Sequence, residues 1–358
     1  MRDVLLKAAG QFSSDRSIQT IDPLGNGLIN DTFSVATEAG RFVLQRINAE
    51  VFPEPEWVVH NLALLNRHIR LKPISSVKLQ IPELLSARDG KMFYRDDGGQ
   101  VWRALQMIQP AESREQLGSD GEAAQVGFAL AHFHRLCRDL PAESLHDTLP
   151  GFHNAPGYFQ HYRQLPRPAL SVEKDPGVID CRAFIQARRE QIGVLEDAKQ
   201  RGELQLRVIH GDPKLNNFLF MPGGDRVISL IDLDTVKPGL LHYDIGDCIR
   251  SSCRNKQDNS FNLSQCKIIL QNYLREAGDF FTASDYDYLY TAIWLIPFEL
   301  GLRFFSDYLA GNRYFKVREP RQNLTRALTQ FAFCDSIQNR QRDLLYCLQG
   351  LKATHIYR

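Results

Sequence analysis

The strongest constraint on the fold of this chain comes from two short apolar segments. One is followed by an acidic residue, and the other contains one near its end. Residues 206–209 and 227–233 have the apolar character of buried strands, and residues 218–221 form a third strand between them. The first segment leads directly into Asp212, and the second carries Asp232 near its end. A side chain at the end of a buried strand is exposed in a fixed direction, so this stretch predicts a site built from strand ends.

The spacing of three polar residues indicates the chemistry of that site. Asn217 follows Asp212 by five residues and Asp232 follows it by twenty, which is the spacing that phosphoryl-transfer enzymes use to hold a hydroxyl beside a metal-bound triphosphate. Asp212 can orient the hydroxyl and accept its proton, while Asn217 and Asp232 offer the oxygen ligands that Mg²⁺ prefers. Each residue alone could belong to an ordinary turn, but the joint spacing predicts a kinase. Asp234 stays open between a metal or substrate contact and a capping residue.

Longer motifs carry a resemblance to a known family. HGDPKLNN at 210–217 and LIDLDTVKPGLLHYDIGDCIR at 230–250 resemble the aminoglycoside phosphotransferase and choline kinase superfamily. Within it, the chain resembles the N-acetylhexosamine 1-kinases, in segments that cover nearly the whole sequence: GNGLINDTFSV at 25–35, FVLQRINAEVF at 42–52, ALAHFHRL at 129–136 and ELGLRFFSDYLAGNRYF at 299–315.

The resemblance implies an α+β, two-lobed protein-kinase-like fold. A small antiparallel-sheet lobe at 1–108 would bind the nucleotide, and a larger, mainly helical lobe at 109–358 would carry the catalytic and substrate-binding residues. The implied cofactors are ATP and Mg²⁺. The implied acceptor is the anomeric hydroxyl of an N-acetylhexosamine, either N-acetylglucosamine or N-acetylgalactosamine.

Composition excludes several kinds of partner. The 358 residues include 43 basic and 42 acidic side chains, and they lack the Lys/Arg-rich run that a nucleic-acid or membrane surface would need. The start of the chain is too interrupted by charge for a signal peptide, and no run of eighteen apolar residues occurs. Seven cysteines without a CxxC pair indicate free thiols. We therefore expect a cytoplasmic enzyme that acts on a small molecule.

The nucleotide contacts are predicted from the first strands. Strands at 18–21, 30–36 and 41–47 should form an antiparallel sheet, and the turn holding Gly25, Asn26 and Gly27 could cover a triphosphate with its backbone N–H groups. Asn30 and Thr32 could add side-chain contacts. A Gly-x-Gly pair alone is equally typical of an ordinary hairpin turn.

One position departs from the kinase pattern. Kinase-like folds carry a lysine on the third strand that pairs with the α- and β-phosphates, whereas this chain has Gln45 there, next to Arg46. Adjacent strand residues face opposite sides, so Arg46 could replace the lysine only if a bulge re-aims it. Met107 and Ile108, at the end of the predicted sheet, would form the linker whose backbone binds the adenine edge.

Helices should make up the rest of the chain. We predict helices at 54–68, 120–138 (capped by Asp120), 178–199, 248–254 and 285–310 (capped by Ser284 and kinked at Pro297), with an irregular segment at 139–180. Asp244 and Asp247, just before the helix at 248–254, are expected to steady the catalytic loop or cap that helix.

Arg303 is the candidate for a second catalytic group. It continues an apolar stripe on its helix, so a guanidinium would lie among buried neighbours. Two interpretations stay open: an ion pair with Glu299 or Asp307, or contact with the transferring phosphoryl group or the sugar, as the resemblance implies. Tyr314 and Phe315 could form an apolar wall against the sugar or belong to the core.

Charge also bears on the acceptor. From Pro297 onward the chain has ten basic and five acidic residues, which disfavours a polycationic aminoglycoside, and a choline acceptor would require an aromatic cage. Another alcohol, such as a different sugar, an amino alcohol or a nucleoside-like metabolite, is an alternative acceptor. A pseudokinase that binds nucleotide without turnover is an alternative of a different class.

Overall fold

An antiparallel sheet forms the N-terminal part of the protein. The computed structural model describes residues 2–13, 18–25 and 29–356. The sheet has the strand order β1-β2-β3-β6-β4, and β5 also pairs with β6. Its strands are β1 (Ile18–Pro23), β2 (Asp31–Thr37), β3 (Gly40–Arg46), β4 (Leu84–Leu85), β5 (Tyr94–Arg95) and β6 (Val101–Gln106). The antiparallel sheet predicted from the strands at 18–21, 30–36 and 41–47 is confirmed.

Two helices cover this sheet. Helix α1 (Arg2–Phe12) buries Ala8, Ala9 and Phe12 in a small apolar cluster with residues of the sheet. Helix α2 (Pro55–Arg70) begins at a proline, which has the φ angle of a helix and lacks only an N–H that the first turn cannot pair. Its buried residues join the main core of the protein, so α2 connects the sheet to the helical part.

The register of the sheet aligns three polar side chains. Thr32 pairs with Gln45 across β2 and β3, and Gln45 pairs with Arg103 across β3 and β6. Neither pairing contains a register shift, so these three side chains share one face. Arg46 points to the opposite face, because no bulge re-aims it.

Helices form most of the remaining chain. They are α3 (Asp120–Cys137), α4 (Ala155–Gln164), α5 (Leu170–Glu173), α6 (Pro176–Arg188), α7 (Val194–Gln200), α8 (Leu241–Ser252), α9 (Leu263–Ala277), α10 (Ala283–Asp287), α11 (Leu289–Leu309), α12 (Gln322–Asn339) and α13 (Gln341–Ile356). Helix α3 packs against α9, and α11 packs against both α8 and α12. Together with the sheet, this arrangement is the α+β architecture expected from the sequence. The domain division at residue 108 stays a prediction.

Short strands carry the catalytic stretch. β7 (Glu112–Ser113), β9 (Phe218–Phe220) and β10 (Val227–Leu230) form one sheet, and β8 (Arg207–Ile209) pairs with β11 (Lys237–Gly239). Asp212 follows β8, as the sequence predicted. β10 ends at Leu230 and not at the predicted residue 233, so Asp232 lies after the strand and not within it.

Several helix boundaries differ from the prediction. The segment at 139–180 contains α4 and α5, and the helix expected at 178–199 is split into α6 and α7. Ser119, and not Asp120, caps α3 by accepting a hydrogen bond from the Glu122 N–H. Helix α8 begins at Leu241, before the predicted start at 248, because its apolar face packs on α11.

The long helix predicted at 285–310 is also divided. A capping box formed by Thr282 and Asp285 starts the short helix α10, and α11 begins separately at Leu289. Pro297 lies inside α11. In the described residues, no helix is long and apolar enough to span a membrane, and the seven cysteines are free thiols.

Gly246 allows α8 to approach α11 closely, and its replacement tests this packing. A Cβ atom at Gly246 would lie 2.6 Å from the Ala292 carbonyl oxygen and 2.4 Å from Ile296 Cγ1. We expect Gly246→Ala to lower the free energy of unfolding by about 1–3 kcal/mol, measured by urea denaturation.

A second glycine provides the control. Gly350 lies in α13, where a Cβ would meet no atom within 4 Å. Gly350→Ala should therefore keep or raise stability, because alanine favours a helix by about 1 kcal/mol over glycine. Equal effects of the two substitutions would contradict the close approach of α8 and α11.

Candidate active site

The catalytic loop is held by a buried carboxylate. Asp244, in the first turn of α8, accepts hydrogen bonds from the backbone N–H of His210 (2.7 Å) and of Gly211 (2.8 Å). His134 donates to the same carboxylate at 2.8 Å. Burial opposes ionisation of Asp244, but these donors outweigh it and lower the pKa of the carboxyl. The expected role of Asp244 in steadying the loop is confirmed.

The carbonyl groups of the same loop are also fixed. The Thr235 hydroxyl donates to the His210 carbonyl at 2.9 Å, and His153 Nε2 donates to the Gly211 carbonyl at 2.7 Å. Gly211 has φ 89°, and a Cβ there would lie 2.5 Å from the Thr235 carbonyl oxygen. Only glycine fits this position.

His153 is a positioning residue that the sequence reasoning missed. Its Nδ1 lies 3.2 Å from Glu299 Oε1, so both ring nitrogens face acceptors. Burial disfavours the charged ring, but Glu299 and the Gly211 carbonyl raise the pKa of His153 above its ordinary value. His153 thus ties α11 to the catalytic loop. No local motif signals this role, because Glu299 lies 146 residues away.

Lys214 is a second residue that the sequence reasoning missed. Its ammonium group forms an ion pair with Asp212 and lies 3.5 Å from Asp232 Oδ2. It therefore sits between the two carboxylates that the sequence singled out. A lysine two residues after Asp212 in HGDPKLNN was the available signal.

Asp212, Asn217 and Asp232 come together around this lysine. The Asn217 side chain is buried and donates from Nδ2 to the Asp212 carbonyl at 2.7 Å, which leaves its Oδ1 oxygen available as a ligand. Asp232 has a left-handed backbone (φ 65°, ψ 54°) and a side chain that is 41% exposed. An aspartate outside regular structure with this uncommon conformation is typical of a functional position.

Electrostatics in the site couple the charges of Asp212 and Lys214. Burial raises the pKa of the Asp212 carboxyl, and the nearby Asp247 and Asp232 raise it further, while Lys214 lowers it. The surrounding carboxylates in turn outweigh burial and raise the pKa of Lys214. The pKa of the Asp212 carboxyl is thus above that of an ordinary aspartate.

Both side-chain oxygens of Asp234 have partners in the structure. It is buried in a short 3₁₀ turn, where it forms an ion pair with Arg103 and accepts a hydrogen bond from the Asn30 amide. Arg103 Nε and Nη2 also donate to Gln45 Oε1, at 3.0 and 2.7 Å. Asp234 therefore connects the N-terminal sheet to the catalytic stretch.

Two of the predicted nucleotide contacts, Asn30 and Thr32, are bound to residues of this cluster. Thr32 accepts a hydrogen bond from Gln45 Nε2 at 3.1 Å, and Asn30 Oδ1 accepts one from the Asn48 N–H at 3.0 Å. Gly25 has φ 71°. Asn26 and Gly27 lie outside the described residues. Met107 and Ile108 follow β6 directly, and their adenine contact stays a prediction.

Arg46 does not join these residues. It forms an exposed ion pair with Asp31, and its guanidinium lies 5.9 Å from the centroid of a Trp102 ring. Arg46 could replace the third-strand lysine only if β3 contained a bulge. The strand has no bulge, so Arg46 faces away from Gln45.

Arg303 lies in a box of aromatic rings. Its guanidinium carbon is 5.1–5.7 Å from four ring centroids, those of Phe152, Tyr158, Tyr314 and Phe315. Within the described residues it has no ion pair. Burial lowers the pKa of the guanidinium, but neighbouring tyrosines and carboxylates, Asp212 among them, outweigh this effect and raise it. A cation with unused N–H groups thus lies near the catalytic aspartate.

The ion pairs considered for Arg303 do not form because both acids have other partners. Glu299 pairs with His153. Asp307 accepts hydrogen bonds from the backbone N–H groups of residues 313, 314 and 315 at 2.8, 2.8 and 2.9 Å. Asp307 thereby holds the loop that brings Tyr314 and Phe315 to Arg303.

This arrangement defines a kinase-like phosphotransferase. The side chains of Asp212, Lys214, Asn217 and Asp232 come together in the segments that follow β8 and β10. The model of the phosphotransferase enzyme family, APH, matches residues 20–278. The chain therefore belongs to this family, and it is a small-molecule kinase that phosphorylates an alcohol group.

Similar proteins agree with this assignment. The homoserine kinase of Rhizobium meliloti (strain 1021) is 25% identical over 262 residues, which cover 72% of this chain and 70% of that protein. The structure of a microcompartment-associated aminopropanol kinase matches with a TM-score of 0.64 and 17% identity, over 96% of this chain and 98% of its own. An amicoumacin kinase in complex with AMP-PNP and Ca²⁺ matches with a TM-score of 0.61 and 14% identity, over 95% and 93%. These structures confirm the kinase-like fold.

Removal of the Lys214 charge should shift the pH dependence of the enzyme. Because Lys214 lowers the pKa of Asp212, Lys214→Met should raise that pKa, and the acid limb of the kcat/KM profile should move to higher pH. The measurement is ADP release across pH 4–9 with a turned-over acceptor.

The matched control is Lys256→Met. Lys256 is exposed and pairs with Glu115, away from the site, so its loss should leave the acid limb in place. An unchanged limb in Lys214→Met would show that Lys214 does not set the pKa of Asp212.

Proposed function

We propose that this chain transfers the γ-phosphate of ATP to a hydroxyl of a small sugar, namely the anomeric oxygen of N-acetylglucosamine or N-acetylgalactosamine. The observation that carries the proposal is the convergence of Asp212, Lys214, Asn217 and Asp232, with the boxed cation of Arg303 beside them. The resemblance to N-acetylhexosamine 1-kinases supports the choice of sugar. The exclusion of a polymer or membrane partner and the cytoplasmic location expected from the sequence are part of this proposal.

Asp212 acts on the acceptor hydroxyl. Its carboxylate orients the hydroxyl and accepts the proton as the oxygen attacks phosphorus. The raised pKa of Asp212 favours this transfer, because a proton acceptor works best when its pKa approaches the working pH. Lys214 neutralises Asp212 in the resting site and offers positive charge to the transferring phosphoryl group.

Asn217 and Asp232 fit the needs of Mg²⁺. The free Oδ1 of Asn217 and the exposed carboxylate of Asp232 are hard oxygen donors. Among the residues that the structure describes, no group of three or more His, Cys, Asp or Glu side chains could hold a metal. Mg²⁺ bound with nucleotide oxygens and water usually takes only one or two protein ligands. When bound, Mg²⁺ neutralises the charge of the phosphates.

The N-terminal turn and linker would hold the rest of the nucleotide. Backbone N–H groups at Gly25, Asn26 and Gly27 face the phosphates in this proposal, and Asn30 and Thr32 add polar side chains. Met107 and Ile108 supply main-chain groups for the adenine edge.

Arg303 and its aromatic box select the acceptor. The guanidinium itself fills the ring cluster, so a quaternary ammonium group cannot use that cluster as a cage. Its unused N–H groups can donate to sugar hydroxyls or to the acetamido carbonyl, and Tyr314 offers an apolar surface to the acetamido methyl. A neutral, hydroxylated acceptor satisfies these features.

One observation favours a second candidate acceptor. An unpaired guanidinium suits a carboxylate, because arginine binds that group with two parallel hydrogen bonds. The relative from Rhizobium meliloti is named a homoserine kinase, and homoserine carries both a carboxylate and a hydroxyl. A hydroxylated amino acid is therefore the alternative to the sugar.

A substrate panel tests the proposed acceptor. We expect ADP release with Mg²⁺ and ATP on N-acetylglucosamine or N-acetylgalactosamine, and little release on neutral hexoses, homoserine, choline or an aminoglycoside. Asp212→Asn should lower kcat by a factor of about 10²–10⁴. Phosphorus NMR of the product should show a 1-phosphate.

The other results of the panel have defined meanings. Turnover of homoserine alone would replace the sugar by the amino acid. ATP binding without turnover of any compound would overturn the kinase mechanism and favour a pseudokinase.

Arg303→Met tests the role of the aromatic box. Loss of a charge-assisted hydrogen bond should lower kcat/KM for the acceptor by about 10- to 100-fold, while the affinity for ATP stays the same. Arg313→Met is the control, because Arg313 is exposed and lies just outside the box. An unchanged kcat/KM for the acceptor in Arg303→Met would exclude the proposed contact.

A further inference from the structure

Arg103 lies opposite the position where kinase-like folds carry their phosphate-binding lysine. We propose that Arg103 supplies, from β6, the cation that binds the polyphosphate of the nucleotide, in place of the lysine absent from β3. The inference rests on the proposed function and identifies a further residue of the same site. It explains how a chain with Gln45 at the lysine position can hold a triphosphate.

The sheet register places the guanidinium next to Gln45. Gln45 and Arg103 are direct cross-strand partners in antiparallel strands, so their side chains leave the same face about 5 Å apart at Cβ. The positive charge is thus moved sideways by one strand, from β3 to β6. Arg46 cannot serve this purpose, because it faces the other side of the sheet and pairs with Asp31.

Hydrogen bonds orient the guanidinium and leave one nitrogen unused. Gln45 Oε1 accepts from Nε and Nη2 of Arg103, and the Gln45 amide is itself fixed by its hydrogen bond to Thr32. Nη2 also binds Asp234. Nη1 is buried and has no hydrogen-bond partner among the residues that the structure describes. The residue is only 1% exposed, so water does not readily satisfy this nitrogen.

An unused N–H on a buried cation is costly unless a ligand completes it. A buried donor without a partner keeps its full desolvation penalty, which is larger when the donor is charged. Asp234 is the one carboxylate that pairs with Arg103 within the described residues, and it shares its other oxygen with Asn30. An anionic oxygen at Nη1 would satisfy the guanidinium and add the charge-assisted bond that arginine makes with phosphate.

The position of the cluster agrees with a polyphosphate. Asp234 lies two residues after the proposed metal ligand Asp232. Asn30 follows the glycine-containing turn that we propose as the phosphate cover. Arg103 therefore contacts Asp234, and Asp234 also binds Asn30, so the cluster joins residues that are close in sequence to both proposed phosphate-binding segments. If Arg103 only bridged the sheet and the catalytic stretch, that role would explain the contact of Nη2 with Asp234 but not the unpaired Nη1.

Binding measurements separate a phosphate contact from a bridging role. By isothermal titration calorimetry, we expect Arg103→Gln to lower the affinity for ATP and ADP by about 10- to 100-fold. The affinity for adenosine, which has no phosphate, should stay the same. Equal losses for ATP and adenosine would overturn the proposal, because they would show a general defect of the site.

A variant that moves the positive charge to the neighbouring strand gives a second test, because a gain in ATP affinity over the single variant cannot result from a folding defect. Gln45→Lys combined with Arg103→Gln returns the cation to β3, and we expect it to recover most of the affinity for ATP. Failure of the double variant to bind ATP more tightly than Arg103→Gln, with a normal thermal unfolding transition, would count against a phosphate contact at this place.

Asp234→Asn is the matched control. It removes the carboxylate of the pair and keeps the cation, so ATP affinity should be retained, whereas a purely bridging role predicts the same loss as in Arg103→Gln. The wild-type protein distinguishes the two levels of the proposal. If it fails to bind ATP, the proposed function and the role of Arg103 fall together. If it binds ATP and Arg103→Gln binds equally well, only the role of Arg103 falls.

Discussion

The geometry of the site depends on one buried carboxylate. Asp244 accepts the backbone N–H groups of His210 and Gly211, and it can do so only because α8 begins at Leu241 and carries it beside β8. A buried ionised carboxylate is stable when donors surround it, and His134 supplies the third. This interaction fixes the loop backbone and thereby the direction in which the Asp212 side chain points.

Charge balance links the loop to the rest of the protein. His153 ties the Gly211 carbonyl to Glu299 of α11, and Arg103 ties Asp234 to the sheet. Both are buried side chains that satisfy groups on distant elements, so removal of either would leave a buried acid without its partner. Arg303 differs from them, because aromatic rings and not a carboxylate surround it. That difference marks Arg303 as a group available to a ligand.

The sequence by itself identified the three residues at the centre of the candidate site. Asp212, Asn217 and Asp232 lie within one stretch of short strands and tight turns, and such local geometry leaves few ways to place them. The sheet of the first hundred residues followed from period-two patterns, and the loop-steadying role of Asp244 followed from its position after that stretch. Helix boundaries were less certain, because tertiary packing extended α8 and divided the helices predicted at 178–199 and 285–310.

Only the tertiary structure decided which distant groups complete the site. Strand register placed Arg103 opposite Gln45, 58 residues away in sequence, and helix packing brought Phe152 and Tyr158 to Arg303. His153 shows the same dependence, since its two partners lie 58 and 146 residues away. Spacing along the chain encodes contacts within a turn or between neighbouring strands. Contacts between separate elements depend on how their buried faces pack, which no single segment specifies.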